Sequence, residues 1–206
     1  MASAVENPLP RTKREQQRLE TREQLFQLAI EEFRDKGTAT ARVRDIVDAA
    51  GVVPGTFYFH FPTKDHVVFE LWRRNSSLVL ERLPPLDATR PPPAVGDYLR
   101  ALGDALLTIE REIGDDALVR DAIAVVLRPP PGTAPPAIGI GDAVVTLLEG
   151  ALERGEIQSE LDPRGLANVL LTSILGVLMT APADPAARRG ELKRTIEFFV
   201  RALCRR

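Results

Sequence analysis

Four breakers set the scale of what can form between residues 37 and 62. Gly37, Gly51, Pro54 and Pro62 leave room there for two helices of about two turns each, and for little else. In the first gap, Val43, Ile46, Val47 and Ala50 recur at i, i+3, i+4 and i+7, which is one stripe of a helix. Gly51, tolerant of positive φ, ends it. In the second gap, Pro54 fits the first helical turn, where its missing N–H has no bond to lose. The ring of Pro62 disfavours continuation from Phe61. Upstream, the longer stripe Leu25, Phe26, Ala29, Ile30 and Phe33 predicts a helix from Thr21 to about Lys36 that Gly37 stops. Downstream, Thr63 is the expected N-cap of a fourth helix, with Asp65 in its first turn.

The second short helix, PGTFYFHF, crowds Phe57, Tyr58, Phe59 and Phe61 into five positions of a chain that is only 5% aromatic. At 100° per residue, Phe57 and Phe61 lie within about 40° of each other and form its buried stripe. Gly55 and Phe59 point the opposite way, flanked by Thr56, Tyr58 and His60. A helix of two turns is not stable alone in water, so Phe57 and Phe61 must fasten it to its neighbours. The other aromatics are left to touch something outside. A short helix, a tight turn and a second short helix with hydroxyl, imidazole and aromatic groups outward is the plan of a helix-turn-helix, whose second helix enters the major groove.

Charge gives weaker guidance. A net charge of -2 and a pI near 5.8 do not by themselves point to nucleic acid. Locally, residues 11–22 hold five basic and two acidic side chains, so residues 1–20 read as a basic flexible arm. The single cysteine, Cys204, excludes an internal disulfide and a cysteine-based zinc site. No run of about 18 apolar residues stands out, and none follows the basic residues near the start. The expectation is therefore no membrane partner and a cytoplasmic protein. His60 and His66 match no zinc motif, and neither a glycine-rich phosphate loop nor a G-x-S-x-G elbow occurs. Ile138 to Asp142 read as a helix start. Asp115 and Asp116 diverge by about 100° on a helix and read as a helix N-terminal feature. No enzyme activity and no cofactor are expected.

Residues 22–68 resemble the N-terminal DNA-binding domain of the TetR family of bacterial transcription regulators. The segments that carry the likeness are LFQLAIEEFRDKG, VRDIVDAAGV and PGTFYFHFPTKDHVV. The resemblance implies that Arg44 reaches a base edge, as arginine does at guanine. It implies that Gly55 lets backbone approach DNA, that Thr56 and Phe59 face bases, and that Tyr58 and His60 bind phosphate oxygens. Lys64 matches a phosphate-contacting lysine. Family members often place Ser or Thr before the second and third helices; here those places hold Arg42 and Val53, and Val53 has no group with which to cap.

The fold class expected is all-α, with a three-helix reading domain over 21–63 and a helical regulatory and dimerisation domain over 64–206. Two proline-rich breaks, 83–93 and 128–137, divide the second domain. Helices are expected near 95–112, 116–128 and 140–154, then at 163–179 and 188–204. One reading head covers one half-site, whereas a two-fold dimer covers a palindrome. In the resembling family the last two helices pair between subunits. This implies a homodimer interface at Leu166, Val169, Leu170, Ser173, Ile174, Val177, Ile196, Phe199, Val200 and Leu203. The family also holds a small-molecule effector in this domain, with Phe69, Trp72, Tyr98, Leu102, Leu106 and Val125 as candidate walls. The reading is a repressor released from an operator in double-stranded DNA by an effector. A helical ligand-binding or protein-interaction module is the alternative, and it leaves the reading helix unexplained.

Overall fold

The structure, a computed structural model, describes residues 12–86, 91–134, 139–180 and 184–204. All regular structure among the described residues is helical, as expected. The chain divides between Val67 and Val68 into two compact units.

In the first unit α1 (Lys13–Lys36), α2 (Val43–Ala50) and α3 (Pro54–His60) pack on one another. Leu25, Phe26, Ala29, Ile30 and Phe33 of α1 are buried with Ile46, Val47, Phe57 and Phe61. The ring of Phe61 lies 6.5 Å from that of Phe26 and 5.9 Å from that of Phe57. Burial of each such ring stabilises by about 1.5–3 kcal/mol, which is what holds a seven-residue helix in place. Gly51 closes α2 with φ 67° and ψ 31°, a left-handed conformation, and its N–H donates back to carbonyls of Val47 and Asp48. Neither α2 nor α3 has a side-chain cap: Arg42 and exposed Val53 occupy those positions.

One expectation fails here. Residues 13–20 are not a flexible arm but the first two turns of α1. Thr12 Oγ accepts from Glu15 N at 3.2 Å while the Glu15 carboxylate accepts from Thr12 N at 2.8 Å, a reciprocal capping box.

The second unit contains most of α4 (Lys64–Glu81), then α5 (Val95–Ile113), α6 (Asp116–Leu127), α7 (Ile140–Glu153), α8 (Pro163–Thr180) and α9 (Pro185–Leu203). Asp115 Oδ1 caps α6 by accepting from Leu118 N at 2.6 Å, and Asp142 accepts from Gly139 N at 3.1 Å where α7 starts. Helix α8 packs on α6, α7 and α9, and α5 packs on α6, α7 and α9. A Cβ at Gly103 would collide with Ile196 Cδ1, the end of a side chain that packs over the bare glycine where α5 meets α9. Among the described residues one helix, α8, is long and apolar enough to cross a membrane by length and composition, with mean hydropathy 1.3. The sequence reading missed this run because Arg164, Asn168, Thr172 and Ser173 interrupt it.

Buried charge joins three helices of this unit. The Arg188 guanidinium donates to the Glu110 carboxylate, and to Asp116 Oδ1 and Oδ2 at 3.1 and 2.9 Å. The start of α9 is thereby fastened to α5 and α6.

The packing also sorts the proposed interface residues. Leu166, Leu170, Ile174, Ile196 and Leu203 are buried in this unit's own core, so they are not available to a partner. Val169 is 48% exposed, while Ser173, Val177, Phe199 and Val200 are partly buried.

Candidate nucleic-acid interface

The outward side of α3 carries side chains that the fold does not use. Phe57, beneath them, is fully buried, whereas Tyr58 and Phe59 are 53% and 69% exposed. The Phe59 and His60 rings stand nearly perpendicular with centroids 5.0 Å apart, and Thr56 is half-buried. A Cβ placed on Gly55 would meet nothing within 4 Å, so the protein's own packing imposes no glycine there. Arg44 of α2 stands out into solvent, 85% exposed, 3.7 Å from Asp48 one turn on. A surface pair of this kind holds the guanidinium weakly.

Two basic groups behave differently from expectation. Lys64 Nζ donates to the carbonyls of Thr38, Ala39 and Ala41 at 2.5, 3.0 and 3.0 Å. An ammonium has three N–H donors, so none remains here for the expected phosphate contact. Lys64 instead staples the loop between α1 and α2 to the start of α4. Hydrogen bonds to a charged group contribute about 1.5–3 kcal/mol, and Lys64→Ala is expected to cost the first unit that order of stability. Thermal unfolding followed by circular dichroism checks this, and a melt identical to wild type would show the staple to be dispensable. Because the ammonium does not face outward, the same variant is expected to keep the wild-type salt dependence of DNA binding.

His60 is the second case. Burial, and then the positive fields of Arg22 and Arg18, hold its imidazole below the usual pKa of 6.5. At neutral pH it is an uncharged donor rather than a cation for phosphate. The sign follows for stability: its contribution is complete above the unfolded value and is lost as pH falls below that value toward the folded one.

The Arg22 guanidinium lies 4.7 Å from the centroid of the Phe61 ring, bringing α1 against the end of α3. The expected flexible arm took in Arg14 and Arg18 but not Arg22; all three lie on α1, where i, i+4, i+8 spacing places them along one side of the helix.

In the second unit, Trp72, Ser76, Val79, Leu106, Ile109, Val119, Ile123 and Leu178 line a narrow apolar cavity of about 40 Å³, with Asn75 and Glu110 at its wall. Of the expected wall residues, Trp72 and Leu106 are there. Phe69, Tyr98, Leu102 and Val125 are not; Tyr98 and Leu102 are fully buried core, and burial pushes the Tyr98 hydroxyl up to about 12.

A family model described as "Bacterial regulatory proteins, tetR family" matches residues 25–71, the stretch that holds α2, α3 and their buried partners. The repressor KstR2 of Mycolicibacterium smegmatis is 44% identical over 52 residues, a quarter of this chain and a quarter of that repressor's length. The regulator UidR of Escherichia coli is 23% identical over 184 residues, covering 87% of this chain and 91% of UidR. The structure of Thermus thermophilus FadR, a TetR family transcriptional repressor in complex with lauroyl-CoA, superposes with a TM-score of 0.70 at 22% identity. That superposition covers 88% of this chain and 94% of FadR, and it shows that the two share a fold. Residues 25–71, which hold the reading helices, thus match the TetR family of bacterial regulatory proteins, and 88% of the chain shares the fold of FadR.

Proposed function

We propose that the protein is a sequence-specific transcription regulator of the bacterial cytoplasm, a repressor that leaves a palindromic DNA operator when a small molecule occupies its second unit. The observation that carries the reading is the outward face of α3. Phe59 and Tyr58 are large and exposed beside a glycine whose missing side chain the fold does not require. An aromatic edge that touches a thymine methyl and a backbone that approaches a base pair both suit the major groove. A protein-interaction module gives no reason for the open glycine.

The reading requires two copies. Helix α8 is apolar, yet only 28% of its residues are buried, and Val169 on it and Phe198 on α9 stay exposed at 48% and 68%. The interface is the outward side of these two helices, with Val169, Ser173, Val177 and Phe199 joined by Phe198. Phe198→Glu is expected to convert the dimer into monomers in sedimentation analysis. It is also expected to weaken binding to a two-half-site duplex far more than to a single half-site. A dimer that persists in this variant would move the interface elsewhere.

The effector site is the cavity around Trp72 and Leu106. At about 40 Å³ it holds no more than a few waters, so an effector must open it and thereby distinguish two states. The wall is apolar, with the Asn75 amide Nδ2 buried and lacking a hydrogen-bond partner among the described residues. A small apolar molecule with one hydrogen-bond acceptor fits that chemistry. Trp72, Asn75, Ser76 and Val79 lie on α4, whose first residue is the Lys64 staple, so one helix carries both features. FadR takes an acyl ligand, lauroyl-CoA, on the same fold.

The reading is tested by selecting bound duplexes from a random pool with the purified protein at fixed moderate salt. Recovery of an imperfect palindrome is the expected result. No enrichment by a folded protein, at low salt as well, would overturn the reading.

A further inference from the structure

We infer that the first two turns of α1 form a second DNA-contacting surface, in which Arg14 and Arg18 hold backbone phosphates beside the bases that α3 reads. The inference rests on the DNA-binding reading of α3.

Residues 12–67 contain nine basic and nine acidic side chains, so no net charge draws this unit to DNA and the attraction must be local. Lys64 has committed its donors to carbonyls. The cations that remain near α3 are on α1. Arg14, Arg18, Thr12 and Glu15 line one open groove together with Phe59, the most exposed aromatic of the reading helix. The groove therefore continues the reading face. Arg14 and Arg18 are exposed, and neither forms an ion pair among the described residues. The one acid in the groove, Glu15, turns its carboxylate to the cap at Thr12.

Helical rise sets the two arginines about 6 Å apart along α1, close to the roughly 6.8 Å of axis that separates a phosphate from the next but one on the same strand. A capped, regular helix fixes that spacing, which a flexible arm would not. Closer to the body of the unit, the field of Arg18 and Arg22 already acts on His60, so these charges are felt at the base of the reading helix. The occupant that fits is the sugar–phosphate backbone next to each half-site.

The test compares wild type with the double variant Arg14→Gln, Arg18→Gln, and with Arg34→Gln, which removes an exposed charge from the far end of α1. Glutamine keeps helix propensity, and circular dichroism verifies the fold. Binding is measured over a range of salt on a 40-base-pair duplex recovered by wild type from a random pool, and on a mixed-sequence duplex of equal length. Loss of two phosphate contacts reduces the slope of log affinity against log salt by about 1.8 per protomer. A fourfold rise in salt then costs the double variant about tenfold less affinity than wild type, per protomer. The expected result is that reduction on both duplexes, with the preference between them kept and with Arg34→Gln unchanged. An unchanged slope, an equal effect of Arg34→Gln, or an altered preference between the duplexes would overturn the inference alone. A wild-type protein that recovers no preferred duplex would overturn the DNA-binding reading itself.

Discussion

Arg188→Ala is expected to lower the stability of the second unit by about 3–5 kcal/mol, because it strands the Glu110 carboxylate in the core without its cation. The Arg188 and Glu110 side chains are 6% and 9% exposed, so water cannot replace the lost partner. Asp116, at 39% exposed, regains solvent readily and adds little. The single tryptophan, Trp72, lies in this unit and reports its unfolding separately from the first. Urea titration of Trp72 fluorescence therefore gives the loss directly. Replacing both partners, Arg188→Met with Glu110→Gln, is expected to recover most of it, since an uncharged pair has no charge to desolvate. A loss under about 1 kcal/mol for Arg188→Ala would mean that the carboxylate reaches water without unfolding.

Phe57→Ala and Phe59→Ala, two residues apart on α3, are expected to fail in opposite ways. Phe57 is fully buried against Phe61, and its truncation is expected to cost about 3–5 kcal/mol. That is a large part of the 5–15 kcal/mol typical of a whole domain, and a seven-residue helix has no stability of its own to fall back on. Phe59, 69% exposed, contributes almost nothing to packing. Its truncation is expected to leave the melting temperature in place and to weaken DNA binding by about 1–3 kcal/mol per half-site, roughly tenfold or more. Melting curves and retardation assays on both variants separate the two roles. A destabilised Phe59→Ala, or a stable Phe57→Ala, would reverse the assignment of the two faces.

Helix α3 and its two faces were legible in the sequence because breakers fixed its ends and 100° per residue fixed its sides. The same holds for α2, whose bounds follow from one apolar stripe and Gly51. What was not legible has identifiable causes. The first turns of α1 carry no apolar stripe, so periodicity missed them, although the Thr12–Glu15 spacing is itself a helix-start signature. Lys64 carries the same charge whether it faces phosphate or carbonyl, and only the path of the loop at residues 38–41 decides between them. In α8 apolar residues fall on nearly every side of the helix, so spacing could not tell which leucines turn inward. The core claimed Leu166, Leu170 and Ile174 and left Val169 outside. Phe198 escaped notice because it adjoins Phe199, and the sequence alone does not say which of two adjacent rings is buried.

The most direct measurement is selection of bound duplexes from one random pool by wild type and by Phe59→Ala side by side, at the same moderate salt. The account predicts an imperfect palindrome from wild type, and from the variant a palindrome with preference relaxed at one position in each half-site. Identical palindromes from both proteins would contradict the assignment of the exposed α3 face to base reading.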